Sequence, residues 1–374
     1  MTNSVSEEKL CLLALHHTSG LGPVIIKQLI SYCGDASGIF KATYKKLIQI
    51  PGIGEKTARI ILAKKELDTA EKELSKADKA GYQIVFYTDA QYPHRLKPLY
   101  DAPLVIYTQG HFDANASRTI GIVGTRKPSD YGLSVTENII RDLVPFNPLI
   151  ISGLAYGIDI TAHKAAVRSH IPTIGVMASG LDVIYPASHK KTAMEMQKNG
   201  GLLTENPIGT KPDFNRFPAR NRIIAGMSDV IIVVESAKKG GSLITVEFAG
   251  NYHRDIYAVP GQVGQPQSEG CNHIISENKA AIFTSVADLI THMNWETKES
   301  KSPLSGYSEQ KPVFDGFSQE ESKILSLLHQ HKVLHIDEIA HLSSLYFSRL
   351  SNLLLALEFQ GIIKSLPGKK YQIA

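Results

Sequence analysis

Twelve residues, Lys211 to Arg222, carry the densest chemistry in the chain. Lys211, Arg216, Arg220 and Arg222 set four positive charges against the one negative charge of Asp213, and Phe214 and Phe217 stand among them. Asn221 lies between the last two arginines. Single-stranded nucleic acid needs this mixture: cations that follow phosphates and aromatic faces that stack bases, at roughly 1–3 kcal/mol per base. The competing reading is structural, with one phenylalanine in the core and the arginines paired to acids.

Three glycine-bearing turns supply further anion chemistry. In Gly121-Ile122-Val123-Gly124-Thr125-Arg126-Lys127-Pro128-Ser129, Gly124 permits a sharp turn, and Thr125, Arg126 and Ser129 offer donors to a phosphate. The run lacks the third glycine of the dinucleotide fingerprint and puts Arg126 in the approach, so no nicotinamide cofactor is expected. Lys239-Gly240-Gly241-Ser242 follows an apolar strand and opens a helix, which again lets backbone approach an anion. Ser152-Gly153-Leu154-Ala155 leads to Asp159 and His163, four residues apart on one helix face. A metal pair or an acid at a helix start bonded to the histidine would both fit. No further ligand cluster accompanies them, so the second is preferred and no metal is expected. Lys190 and Lys191 at another helix start suit either a phosphate or plain solvation.

These turns need a scaffold that brings them together. Short β-branched runs from Ile84-Phe86 to Ala281-Phe283 alternate with helical segments such as Tyr131-Leu143 and Asp159-Ser169. The pattern predicts an α/β fold with a Rossmann-like, doubly wound, mostly parallel sheet over residues 81–295. In such a sheet all three turns fall on one edge, which is the expected site. Residues 1–80 read as a helical domain. Within it, Ile50 to Ala58 resembles a helix-hairpin-helix binder of the DNA backbone, with Gly52, Gly54 and Lys56 as contact candidates; a structural tight turn is the alternative. Its Gly-x-Lys-Thr run is not a P-loop, because the required upstream glycine is missing. Residues 296–317 are polar and read as a linker. From 318 to 374, a capping box of Ser318 and Glu321, three helices and a short ribbon give a winged-helix layout. Its recognition helix, about 346–360, holds Arg349 as its one cation, too few for ordinary major-groove reading. That leaves a transcription regulator as a weaker reading than protein contact or a slight duplex role.

The bulk numbers agree with a globular chain. It has 374 residues, 43% hydrophobic and 20% charged, which argues against wholesale disorder, and a net charge of +4, too small alone to name a partner. Cys11, Cys33 and Cys271 are odd in number and far apart, so neither a disulfide framework nor a cysteine cage is expected, in keeping with a reducing cytoplasm. No apolar run approaches the roughly 20 residues of a membrane span, and the polar start lacks a signal-peptide layout.

Several runs resemble the DprA/Smf family of DNA-processing proteins in the same order. They include Ile120 to Arg126, Ser152-Gly153-Leu154-Ala155 with Gly157-Ile158-Asp159, Gly180-Leu181-Asp182, Phe217-Pro218 with Arg220 to Gly226, and Gly241 to Thr245. The resemblance implies a recombination mediator without catalytic residues or cofactor. Such proteins bind single-stranded DNA cooperatively, shield it, and help load RecA onto strands covered by single-strand-binding protein during natural transformation. It makes Arg126 the DNA-binding arginine, and extends the groove to Lys190, Lys191, Lys211, Phe214, Phe217, Arg220 and Arg222. It also implies a homodimer through Gly270 to Ile275, with Asn272, His273 and Ile275 as contacts. Tyr156 stands where the family commonly has arginine, and Glu277-Asn278-Lys279 replaces its usual Gly-Ala. Gly240 to Glu247 is also similar to a run in nucleotide phosphoribohydrolases of the same superfamily. On that alternative, Glu247 and Arg222 would act on a nucleoside monophosphate.

Overall fold

The structure, a computed structural model, describes residues 6–295, 317–343, 345–366 and 369–373. They form two compact units, 6–295 and 317–373. The polar stretch read as a linker lies almost wholly outside the described residues.

The larger unit is built on nine strands: β1 (Gln83–Phe86), β2 (Val105–His111), β3 (Thr119–Gly124), β4 (Leu149–Gly153), β5 (Thr173–Val176), β6 (Gly200–Thr204), β7 (Val230–Val234), β8 (Asp255–Ala258) and β9 (Ala281–Ile282). Their order is β1-β2-β6-β5-β4-β3-β7-β8-β9. From β6 to β9 every pairing is parallel, whereas β2 runs antiparallel to both β1 and β6. The strand-helix alternation does not predict β2, because an antiparallel strand needs no crossover helix to announce it.

The Val230–Val234 strand shows why the sheet is doubly covered. All five residues are buried. Ile231 and Val233 join the core on one face with Ile223, Ile224 and Val246, while Val230, Ile232 and Val234 join the core on the other with Ile139, Ile158 and Leu289. A period of two thus divides one continuous apolar run between two helix layers.

Strand order grows outward from β3 in both directions, to β4, β5 and β6 on one side and β7, β8 and β9 on the other. Crossovers therefore leave β3 and β7 in opposite senses, which opens a crevice at their carboxyl ends.

Six helices from Glu7–His17 to Lys65–Ala80 precede the sheet. Leu13, Leu29 and Leu47 share one core with Phe86, Tyr107 and Leu202, so this helical region packs directly on the β1-β2-β6 side. The last helix stops at Gly81, whose φ of 68° gives the left-handed cap that the sequence predicts.

The smaller unit holds helices Gln319–His331, Ile336–Ser343 and Phe347–Phe359, and strands β10 (Val333–His335), β11 (Ile363–Leu366) and β12 (Lys370–Ile373) in the order β10-β12-β11. Ser318 and Glu321 form the expected capping box. The ribbon gains β10, which at three residues is too short to stand out in sequence. This is a winged-helix arrangement. Among the described residues no helix is long and apolar enough to cross a membrane.

At the amino ends of β3 and β7, Arg95 grips Asp229 through two bonds of 2.6 and 2.9 Å. Asp229 also accepts from the Thr119 amide and hydroxyl, at 2.9 and 3.0 Å. Arg95 is 9% exposed. Removing the acid leaves a buried guanidinium uncompensated. Asp229→Asn is expected to lower unfolding free energy by roughly 3 kcal/mol, read from urea denaturation; a loss under about 1 kcal/mol would show that the pair does not hold the two strands.

Candidate nucleic-acid interface

The turn after β3 is fixed by its neighbours. The Thr125 amide donates to the Glu235 carbonyl at 2.9 Å, and the Thr125 carbonyl accepts from Ile158 at 3.2 Å. The Glu235 carboxylate accepts the Ser129 amide at 2.9 Å and also the Ser129 hydroxyl. Gly157, at φ 79°, lies against Thr125 and Arg126; a Cβ there would stand 2.2 Å from the Thr125 carbonyl oxygen. Close backbone approach and positive φ both demand glycine.

So held, Arg126 projects outward. Its guanidinium carbon sits 5.2 Å from the centre of the Phe217 ring. Among the described residues it has no ion-pair partner. A cation resting on an aromatic face keeps its outer donors free for a ligand.

The crevice between β3 and β7 is lined by Gly124, Thr125, Arg126, Phe214, Phe217, Arg220, Asn221, Gly240, Gly241 and Ser242, all of them anticipated from sequence. Lys127 and Lys239 also line it. Their signal was their place inside the two glycine turns. Arg126, Lys127 and Lys239 are exposed, and the lining contains one carboxylate, the buried Asp159. Helices Arg216–Met227 and Ser242–Asn251 both begin at this crevice, so their amino ends add partial positive charge. Phe214 is 83% exposed at the rim. Tyr185 extends the aromatic surface, 6.0 Å from Phe217 between ring centres, and with Tyr156 lines an adjoining pocket. Neither tyrosine belongs to the predicted set, because each stands outside the charged run.

Other predicted residues lie elsewhere. Arg222 pairs with Glu205 and donates to the Asp101 carbonyl at 2.7 Å, so its charge is spent internally. Lys190 and Lys191 lie with Met194 and Lys198 on a separate surface patch. Lys211 is exposed before Phe214 but does not line the crevice. Glu247 is exposed and also absent from the lining, so the Glu247–Arg222 pair of the enzymatic alternative is not assembled. Gly52 and Gly54 make the turn between helices Tyr44–Ile48 and Glu55–Ala63, with Lys56 exposed just beyond. Asn272 is engaged with Gly261 through both backbone groups, at 2.9 and 3.1 Å. His273 and Ile275 lie half-buried on the helix Glu269–Ser276.

Asp159 and His163 do not bond to each other, which corrects the sequence reading. His163 Nε2 donates to the Gly153 carbonyl at 2.6 Å, leaving Nδ1 to accept from the Thr173 hydroxyl at 2.7 Å. Asp159 instead accepts the Ala155 amide at 3.4 Å and faces Arg220 across Gly153. Burial raises its pKa, and Arg220 opposes that shift. Among the described residues no group of three metal-ligating side chains gathers.

A doubly wound sheet with a cationic, aromatic crevice at its switch point, carrying a helical hairpin region and a winged helix, defines a class of DNA-processing proteins. Comparison with known proteins gives the family. The model of DNA recombination-mediator protein A matches residues 83–294, that of the DprA winged helix domain 309–369, and a helix-hairpin-helix motif 35–64. Protein Smf of Synechocystis sp. is 31% identical over 401 aligned residues that cover all of both chains. The DNA processing protein DprA of Bacillus subtilis is 40% identical over 205 residues, 54% of this chain and 69% of that one. The X-ray structure of DNA processing protein A from Streptococcus pneumoniae matches with a TM-score of 0.65 at 30% identity, covering 75% of this chain and 97% of that one. A Helicobacter pylori DNA processing protein A, whose structure is described for its single-stranded DNA binding mode, gives 0.52 at 28% identity, covering 57% and 95%. This chain belongs to the DprA/Smf family.

Burial lowers the His163 pKa to about 4, well below the ordinary 6.5. The neutral imidazole is therefore favoured in the fold, and its stabilisation is present above pH 6.5 and lost as pH falls toward 4. The stability difference between the protein and H163Q should shrink by roughly 3 kcal/mol over that window. A pH-independent difference in denaturation experiments would contradict this.

Proposed function

We propose that this protein binds single-stranded DNA in the crevice between β3 and β7 and acts in the cytoplasm as a recombination mediator, protecting incoming strands and helping to load RecA during natural transformation. The observation that carries the reading is Arg126, seated on Phe217 with no ion pair among the described residues and flanked by the exposed Lys127 and Lys239. Free cations beside an exposed aromatic rim suit a backbone of phosphates with bases that must be stacked without sequence preference. The single-stranded DNA binding mode of the Helicobacter pylori relative supports the same ligand, and the family's character supports the mediator role.

The reading is one of binding without bond-breaking. The crevice carboxylate, Asp159, is buried at 7% exposure against Arg220, which ill suits it to act on a substrate. A homodimer is part of the proposal. Of its three expected contacts, Asn272 holds Gly261, while His273, beside Glu277 at 3.3 Å, and Ile275 lie half-buried toward a partner copy. Two crevices on one dimer gain avidity by effective concentration. RecA and single-strand-binding protein enter as partners from family character alone. A duplex-reading role for the winged helix is not favoured, since Arg349 is tied to Glu320 at 2.8 Å.

Arg126→Ala should weaken binding of a single-stranded oligonucleotide several-fold in a low-salt gel shift, with nucleoside monophosphate a poor competitor. Unchanged affinity would remove the crevice from consideration. Binding should also fall steeply with salt as counterions are released; a flat response would argue for a ligand without phosphates.

A further inference from the structure

No described residue of the helical amino-terminal region lines the crevice, yet the region touches the segment that carries Phe214. Residues 205–215 leave β6 and return as the helix Arg216–Met227. The segment is closed at its base, where Arg216 donates to the Asn206 side-chain oxygen at 2.9 Å. Its tip bears Lys211 and Phe214, both exposed.

Two side chains from the helical region grip this base. Glu73, 4% exposed on the helix Lys65–Ala80, accepts the Ile208 amide at 2.7 Å. His16, at the end of the first helix, bonds through Nε2 to the Glu205 carbonyl at 2.9 Å. A carbonyl can only accept, so this nitrogen donates. On the other side, Asp182 accepts the Gly209 amide at 2.9 Å, and the Gly180 amide donates to the Thr210 carbonyl at 2.9 Å. A carboxylate buried this deeply is costly unless paired, and a charge-assisted bond to a backbone amide is a strong, directional partner. Phe214 itself is 83% exposed. Around it the Asp213 carbonyl accepts the Arg216 amide at 3.0 Å and the Asp213 carboxylate accepts the Asn215 amide at 2.9 Å, which ties Phe214 to the helix start that Asn206, at the root of the segment, also holds.

The turn bearing Arg126 is built differently. Its anchors are Glu235, Ile158 and Gly157, all within the sheet domain. The backbone of the Arg126 turn and the root of residues 205–215 thus have separate anchors, and the link between them is the Arg126 side chain resting on Phe217 beside Arg216.

We propose that Glu73 and His16 are positioning residues of the crevice: through the root of residues 205–215 the helical region sets the base-stacking aromatic Phe214, while the phosphate contacts at Arg126 do not depend on it. This rests on the single-stranded DNA reading above. It gives the amino-terminal region a part in base stacking that requires no DNA contact of its own.

The test compares the full-length protein, E73A and E73Q against oligo-dT and an abasic oligonucleotide of equal length. E73A should bind oligo-dT about 3–10-fold more weakly, with abasic affinity and the salt slope unchanged. E73Q keeps an acceptor for the Ile208 amide and should restore oligo-dT binding. Equal losses on both oligonucleotides, or no loss on either, would overturn the proposal. If E73A does not fold, H16L removes the second anchor and is expected to give the same split. In the unmodified protein, hydrogen exchange at Ile208 should be as slow as in neighbouring β6, and exchange at a free-loop rate would overturn the proposal as well. If the unmodified protein binds neither oligonucleotide, the single-stranded DNA reading fails first and on its own account.

Discussion

Glu235 is the residue on which the crevice depends. It ends β7 with a φ of 57°, in the left-handed region, while only 4% exposed. A non-glycine residue held there costs on the order of 1–3 kcal/mol. The conformation is over-determined by what the residue holds. Its carbonyl takes the Thr125 amide, and its carboxylate takes both donors of Ser129. One residue therefore grips the two ends of the turn that displays Arg126 and Lys127. Gly132 completes the fit, since a Cβ there would stand 2.3 Å from a Glu235 carboxylate oxygen. A strained acid thus converts the gap left by strand-order reversal into a shaped rim.

That rim decides the electrostatics. Arg220 is buried at 5% exposure, and its guanidinium donates to the Val176 carbonyl. Burial lowers its pKa while Asp159 opposes the shift. The two charges largely answer each other beneath the surface. The exposed cations above them, Arg126, Lys127 and Lys239, form no ion pair among the described residues, and the one carboxylate of the lining, Asp159, is buried, so the cations dominate the field at the surface. The modest net charge of +4 is consistent with this, because a local excess at one edge matters more to a polyanion than the average over 374 residues.

Much of this was legible in sequence, for reasons tied to particular residues. Val230–Val234 is an unbroken apolar run bounded by polar residues, and Gly124 and Gly240-Gly241 each follow such a run, so both strand and turn could be located. Ten of the predicted crevice residues do meet there. What sequence could not supply was direction. Arg222 sits in the same charged run as Arg220, but two residues along a helix is a rotation of about 200°, which turns it to Glu205 and away from the crevice. His163 likewise has the right spacing to meet Asp159, yet its ring points inward to Gly153 and Thr173. Strand order was equally hidden, because it depends on which side each crossover takes.

The winged-helix unit shows the opposite charge logic. Its helix Phe347–Phe359 buries Leu350, Leu353, Leu354 and Leu357 and leaves Phe347, Leu355 and Phe359 in solvent, with Tyr346 just ahead of it. Phe359 is 84% exposed. The cation on this helix, Arg349, is already paired with Glu320. A helix that reads duplex DNA needs donors for base edges and cations for phosphates. This one offers apolar rings, the chemistry of protein contact. The same chain thus separates two kinds of surface: exposed cations at the switch-point crevice, and uncharged aromatics on the winged helix, where phosphate has little to bind.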